Sequence, residues 1–235
     1  MSTATPAPSA AAPRFALRHV QLARAGIAAV AAIMVTFSSD HSAAVGLSVF
    51  SGFAIVTGLI ELVSAWLTYP AGRRTVPLTL GALSVVAGML AGILVWRSTT
   101  FFFALVISWA LVTGLIEAIG ALRERRSPAL RAEARDSLVV GIFTVLLGLG
   151  LLLVPAQYAL SYRIDDVDTE FTLTGIIIAV GIFGAYAAIV AVFLGIAGFS
   201  PRRDAIDAGS RDADVAGTAA PDARTAPARR EEERA

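Results

Sequence analysis

The pentapeptide Thr57-Gly-Leu-Ile-Glu61 returns unchanged as Thr113-Gly-Leu-Ile-Glu117, each copy near the end of a long apolar run. Such a repeat marks an internal duplication, and it puts one carboxylate into each of two stretches otherwise suited to lipid. Outward from both copies the apolar character continues. Of the 235 residues, 56% are hydrophobic and 16% charged, whereas a soluble domain carries about a quarter charged residues. A helix needs about 20 mostly apolar residues to cross a hydrocarbon core of roughly 30 Å. That length divides the chain into six predicted spans, at 20–37, 43–67, 76–96, 101–122, 138–156 and 172–199. Half-buried strands would instead alternate polar and apolar residues over shorter lengths. The expected class is all-α, a polytopic membrane protein with six transmembrane helices.

The first span has the shortest uninterrupted apolar part, Ala25–Phe37. It crosses only if Gln21 and Arg24 snorkel to the headgroups. Arginines before a short apolar stretch also suggest a signal peptide. The long preceding segment and the lack of a clean Ala-x-Ala site favour a retained helix. Residues 1–19 and 201–235 are a different material: the first is rich in Ala and Pro, the second mixes arginines with acids and has no hydrophobic periodicity. Both are expected to be disordered tails, because neither can bury enough apolar surface to offset the entropy of ordering.

All 19 basic residues are arginine, and the formal charge of +1 conceals how they are distributed. With both termini in the cytoplasm, Arg14, Arg18, Arg24, Arg73, Arg74, the loop arginines between 123 and 135, Arg202 and Arg203 fall inside. Only Arg97 and Arg163 fall outside. Arginine near span ends is retained on the cytoplasmic face, so both termini are expected there. Trp66, Tyr69 and Trp96 then come to headgroup depth, where ring and polar handle are both accommodated. Trp109, in mid-helix, reads as packing.

A second echo accompanies the first. Gly81-Ala-Leu-Ser-Val-Val-Ala-Gly88 in the third span matches Gly141-Ile-Phe-Thr-Val-Leu-Leu-Gly148 in the fifth, both reading Gly-x-x-[Ser/Thr]-Val-x-x-Gly. Small residues seven apart lie on nearly one face and allow close helix approach. The six spans thus parse as three parallel-related helical hairpins, each turning on the outer side. Hairpins with glycine-rich odd helices, Thr-Gly-Leu-Ile-Glu closing even ones and arginines just beyond resemble the HdeD-type integral membrane proteins. The resemblance covers about residues 20–203 and is best over Leu80–Arg126 and Ser137–Pro155. The sixth span departs from it by lacking the closing Gly-x-x-Glu. The resemblance implies a protein of the inner (plasma) membrane associated with acid or envelope stress resistance, with no established catalytic activity, and carries over no active-site residues.

Chemistry has few places to reside. Cysteine is absent, and His19 and His41 stand far apart in sequence, which argues against thiol chemistry and a histidine metal cage. There is no P-loop, dinucleotide fingerprint or Ser-His-Asp set. No cofactor and no nucleic-acid partner are expected, and the chain is not expected to be an enzyme. The expected partners are the lipid bilayer and either further copies of the chain in a homo-oligomer or another membrane partner, with the basic loop Arg123–Asp136 touching anionic lipid. Glu61 and Glu117 are the candidate functional residues, the only acids inside the predicted spans. They lie roughly 9–12 Å below the flanking arginines at 1.5 Å rise per residue. An acid at that depth needs an arginine, a hydroxyl, water or a proton to offset its burial. Two roles stay open: structural anchors, or a proton or small-solute path. The acidic loop Arg163–Glu170 reads as a solvated turn, lacking the glycine and spacing of a calcium loop.

Overall fold

Each predicted span becomes a helix because its backbone can satisfy its own hydrogen bonds only that way in lipid. The structure, a computed structural model, describes residues 17–127, 130–164 and 169–200. The expected tails lie outside the described residues, except that residues 17–19, expected to be disordered, instead open the first helix because they continue its backbone hydrogen-bonding. Among the described residues the helices are α1 (Leu17–Phe37), α2 (Ala43–Leu67), α3 (Thr75–Gly92), α4 (Thr99–Glu124), α5 (Arg131–Leu152) and α6 (Gly175–Phe199). All six are long and apolar enough to cross a membrane. The chain is a multi-pass membrane protein by that criterion.

Local sequence sets the ends. The Ser42 hydroxyl accepts from the Val45 amide at 3.4 Å and opens α2; the Ser98 hydroxyl does the same for α4, accepting from Phe101 at 3.2 Å. Such side-chain caps satisfy amides that a helix start leaves without partners. The Gly88–Gly92 end of α3 weakens the helix, and the chain passes into a short turn of 3-10 helix at Leu94–Trp96, so α3 stops four residues before the predicted boundary. α5 begins at Arg131, seven residues ahead of the apolar run, because its polar first two turns continue the same helix.

The helices run up and down, with α1 beginning beside the end of α6. Gly198 lies against Leu22 and the Arg18 carbonyl, and Gly184 against Val35. The closest pairs are α2 with α3, α4 with α5 and α6 with α1. Paired glycines explain two of them. A Cβ on Gly58 would stand 2.7 Å from the Gly81 carbonyl oxygen, and one on Gly114 would stand 2.9 Å from that of Gly141. The two sequence repeats are therefore the two sides of one recurring contact: the glycine of Thr-Gly-Leu-Ile-Glu meets the first glycine of Gly-x-x-[Ser/Thr]-Val-x-x-Gly.

Between α5 and α6 the structure departs from the expected turn and helix start. Strands β1 (Ala159–Ile164) and β2 (Thr169–Thr174) pair antiparallel, from Ala159 opposite Thr174 to Ile164 opposite Thr169. Residues 172–174, expected to open the last span, belong to the sheet because their backbone pairs across the hairpin. The acidic centre of that loop, residues 165–168, lies outside the described residues.

The middle of the bundle is aromatic. Phe50, Phe53, Trp109, Phe183 and Tyr186 meet largely edge to face, with the Phe50 and Trp109 centroids 5.2 Å apart and those of Phe53 and Phe183 5.7 Å apart. The aromatic quadrupole favours such crossings. Trp109, expected to be simple packing, also donates from its indole to the Ser84 hydroxyl at 3.1 Å. The Thr144 hydroxyl shares a hydrogen bond of 2.9 Å with Tyr186. Ser84 and Thr144 hold the same place in the two glycine motifs, so one repeat position secures a buried aromatic twice.

Candidate functional site

Glu61 reaches the interior because it continues the buried face of α2 through Phe50, Ala54, Thr57 and Gly58. Glu117 ends the equivalent face of α4, through Val106, Ala110, Thr113 and Gly114. These spacings of three and four residues lie on one side of a helix. Opposite them α1 presents Gln21, Ala25, Ala28, Ala32 and Val35. Its alanines bring the backbone close enough for Arg24 to enter between the two acids.

Arg24 Nη2 lies 3.3 Å from Glu61 Oε1, and Nη1 donates to Glu117 Oε1 at 3.2 Å. The carboxylates are 7% and 8% exposed and the guanidinium side chain 18%. One turn earlier on α1, Gln21 donates to Asp136 of α5 at 3.0 Å. The expectation that Gln21 and Arg24 snorkel to the headgroups is thereby corrected: both point inward. Two buried carboxylates attract the guanidinium more strongly than headgroup water does, since buried charge of one sign demands a partner. Sequence reasoning found both acids and placed their partner in the wrong environment.

The three charged groups line a cavity of about 60 Å³, together with Ser64, Tyr69 and Ser137. This is polar space large enough for water. Glu61 Oε2 is buried and makes no hydrogen bond within the described protein, so water in the cavity that Glu61 lines is its natural partner. Beyond α2, burial pushes the Tyr69 phenol up to about 12, and it stands at this cavity as a neutral hydroxyl. Glu124, also lining it, is paired with Arg73 at 3.0 Å. Among the described residues no three His, Asp or Glu side chains converge as metal ligands. His41 sits in the α1–α2 connection, at the far end of these helices from the cluster.

The buried positions of α1 recur in α3: Gln21 with Pro77, Ala25 with Gly81, Ala28 with Ser84, Ala32 with Gly88 and Val35 with Ala91. The first helix thus belongs to the same repeat as α3 and α5, although its glycines have become alanines. In that register Arg24 stands where α3 has Leu80 and α5 has Val140. Counting from the aromatic layer, Phe53 precedes Glu61 by the same interval as Trp109 precedes Glu117, and that interval from Phe183 reaches Ala191. Two repeats supply an acid and the third supplies none, while only the first supplies a cation.

This geometry defines a class: a six-helix membrane bundle with an arginine bridging two buried glutamates in a small polar cavity. Compared with protein-family models, curated proteins and solved structures, the chain matches none.

Proposed function

We propose that this is a non-enzymatic membrane protein of the HdeD type, the family its repeats resemble. In this reading it lies in the inner membrane with both termini cytoplasmic and supports acid or envelope stress resistance as a proton-responsive bundle. The observation that carries the reading is Arg24 bridging Glu61 and Glu117 in one cavity. Fully ionised, these three groups hold one net negative charge, and one proton neutralises them. The cluster also ties α1 to α2 and α4, so protonating either acid releases a tether between helices. Other ionisable groups facing it are Tyr69, Tyr186 and the Glu124–Arg73 pair, with Asp136 held through Gln21. A ring layer of Phe53, Trp109 and Phe183 stands about 12 Å deeper, eight residues along each helix at 1.5 Å rise. It favours proton binding over proton passage.

A deletion strain complemented with wild type or with the Glu61→Gln/Glu117→Gln variant tests this. Deletion should lower survival of an acid shift, and only the wild type should restore it. Equal survival of the deletion strain defeats the proposal. A second reading, a transporter or channel for protons or a small solute, is favoured by both acids sharing one polar cavity. Proteoliposomes then should lose proton or solute flux on the same substitutions; unchanged flux removes that reading.

A further inference from the structure

A second polar concavity lies at the same end of the bundle, on its surface, between the start of α3 and the end of α4. It is an open groove of about 550 Å³ lined by Arg73, Thr75, Arg123, Glu124, Arg126 and Ser127 among others. Its one acid is already engaged: Arg73 donates from Nε to Glu124 Oε1 at 3.1 Å and holds the same oxygen through Nη2 at 3.0 Å. Arg123 and Arg126 are exposed and make no ion pair or hydrogen bond among the described residues. Three arginines against one acid leave the groove with two positive charges. The first turn of α3 adds to the field. Its N-cap residue Arg74 gives no side-chain cap, and a helix start presents free amides and the positive end of the macrodipole.

The groove opens onto lipid-facing helix. Val112, Leu115 and Ile119 of α4 are 46%, 50% and 48% exposed. Leu115, Ile119 and Arg123 are successive positions four apart on one face. From Val112 to Arg123 is about 16 Å at 1.5 Å rise per residue, close to one leaflet of a roughly 30 Å core. Headgroup depth is marked nearby by Trp66, whose ring carries the Arg74 guanidinium at 4.8 Å, and by Tyr69, with Arg73 at 5.7 Å. Charge and apolar track are thus arranged as in a phospholipid.

We propose that this groove binds the phosphate headgroup of an anionic phospholipid, with Arg123 and Arg126 on the phosphate and an acyl chain along Ile119, Leu115 and Val112. Gln21, Arg24 and the buried acids take no part, and the assignment is independent of the stress-resistance reading. Each arginine near a membrane surface strengthens anionic-lipid binding roughly fivefold, and salt screens the effect.

The test uses full-length protein equilibrated with equal amounts of phosphatidylglycerol and phosphatidylcholine, the retained lipid being measured by native mass spectrometry. Wild type should prefer phosphatidylglycerol by roughly thirtyfold more than the Arg123→Gln/Arg126→Gln variant does, as two such contacts multiply. The Arg123→Lys/Arg126→Lys variant should keep most of the preference. A thermal unfolding midpoint unchanged in both variants shows that the bundle is intact. Equal preference in wild type and the glutamine variant overturns the assignment. Displacement of the retained lipid by millimolar inorganic phosphate also overturns it, because the groove would then be a free-anion site.

Discussion

At the residue scale, Arg24 is the decisive side chain, and its worth is set by what its removal leaves behind. Arg24→Leu restores the residue type of the equivalent position in α3 and suits the helix, yet it strands two buried carboxylates. Breaking a buried ion pair by removing one partner costs about 3–5 kcal/mol. The Arg24→Leu variant should therefore unfold earlier in detergent by roughly that free energy. Adding Glu61→Gln and Glu117→Gln to it should recover much of the loss, because the uncompensated charge disappears with the acids. If the triple variant is as unstable as Arg24→Leu alone, charge pairing is not what holds α1. The acids were legible in the sequence because a carboxylate in an apolar run is conspicuous. Arg24 was not, because an arginine near the start of a short apolar run satisfies snorkelling and internal pairing equally well. The choice depends on which face of α1 meets α2 and α4, and local sequence does not contain it.

At the element scale, the glycine pairs set how closely the helices approach. At Gly114 a Cβ would meet the Val145 amide nitrogen at 2.8 Å and the Gly141 carbonyl oxygen at 2.9 Å. These are backbone atoms and cannot swing aside. Gly114→Ala should push α4 and α5 apart and destabilise by about 1–3 kcal/mol, the usual cost of overpacking. Gly181→Ala, in α6 with nothing within 4 Å, should be neutral or stabilising by about 0.5–1 kcal/mol through helix propensity. Thermal unfolding of both variants in the same detergent checks the contrast; similar shifts would show that the close contact is unimportant. The glycine motifs were legible, but their partnership was not, since each lies on a different helix. The β1–β2 hairpin was missed for another reason. Its alternation of Leu160, Tyr162 and Ile164 with polar neighbours is a strand signal, but the adjoining apolar run of α6 absorbed residues 172–174 under a length criterion for spans.

At the scale of the whole molecule, six alternating helices bring the start of α1 and the end of α6 to one face, along with the Arg24 cluster and the basic groove. The first and third helices share a buried pattern, so the bundle is three repeats closed on themselves by α6 against α1. This up-and-down order was legible from span count alone, whereas the closing contact and the polar centre it encloses arise only when distant helices meet. The proposed cytoplasmic placement of the charged end rests on arginine retention, and the chain's lack of cysteine allows a direct test. Gly72 lies in the α2–α3 connection with open space where its Cβ would stand. Ser39, in the α1–α2 connection, is exposed, and Val95, before α4, is 91% exposed. Single substitutions Gly72→Cys, Ser39→Cys and Val95→Cys therefore place one thiol at the charged end and two at the opposite end without disturbing packing. In intact cells an impermeant thiol reagent should label positions 39 and 95, and should reach position 72 only after permeabilisation. The reverse pattern would put the Glu61–Arg24–Glu117 cavity toward the outside. External acid would then reach the cluster without crossing the bilayer, whereas in the orientation proposed here it responds to protons that have already entered the cell.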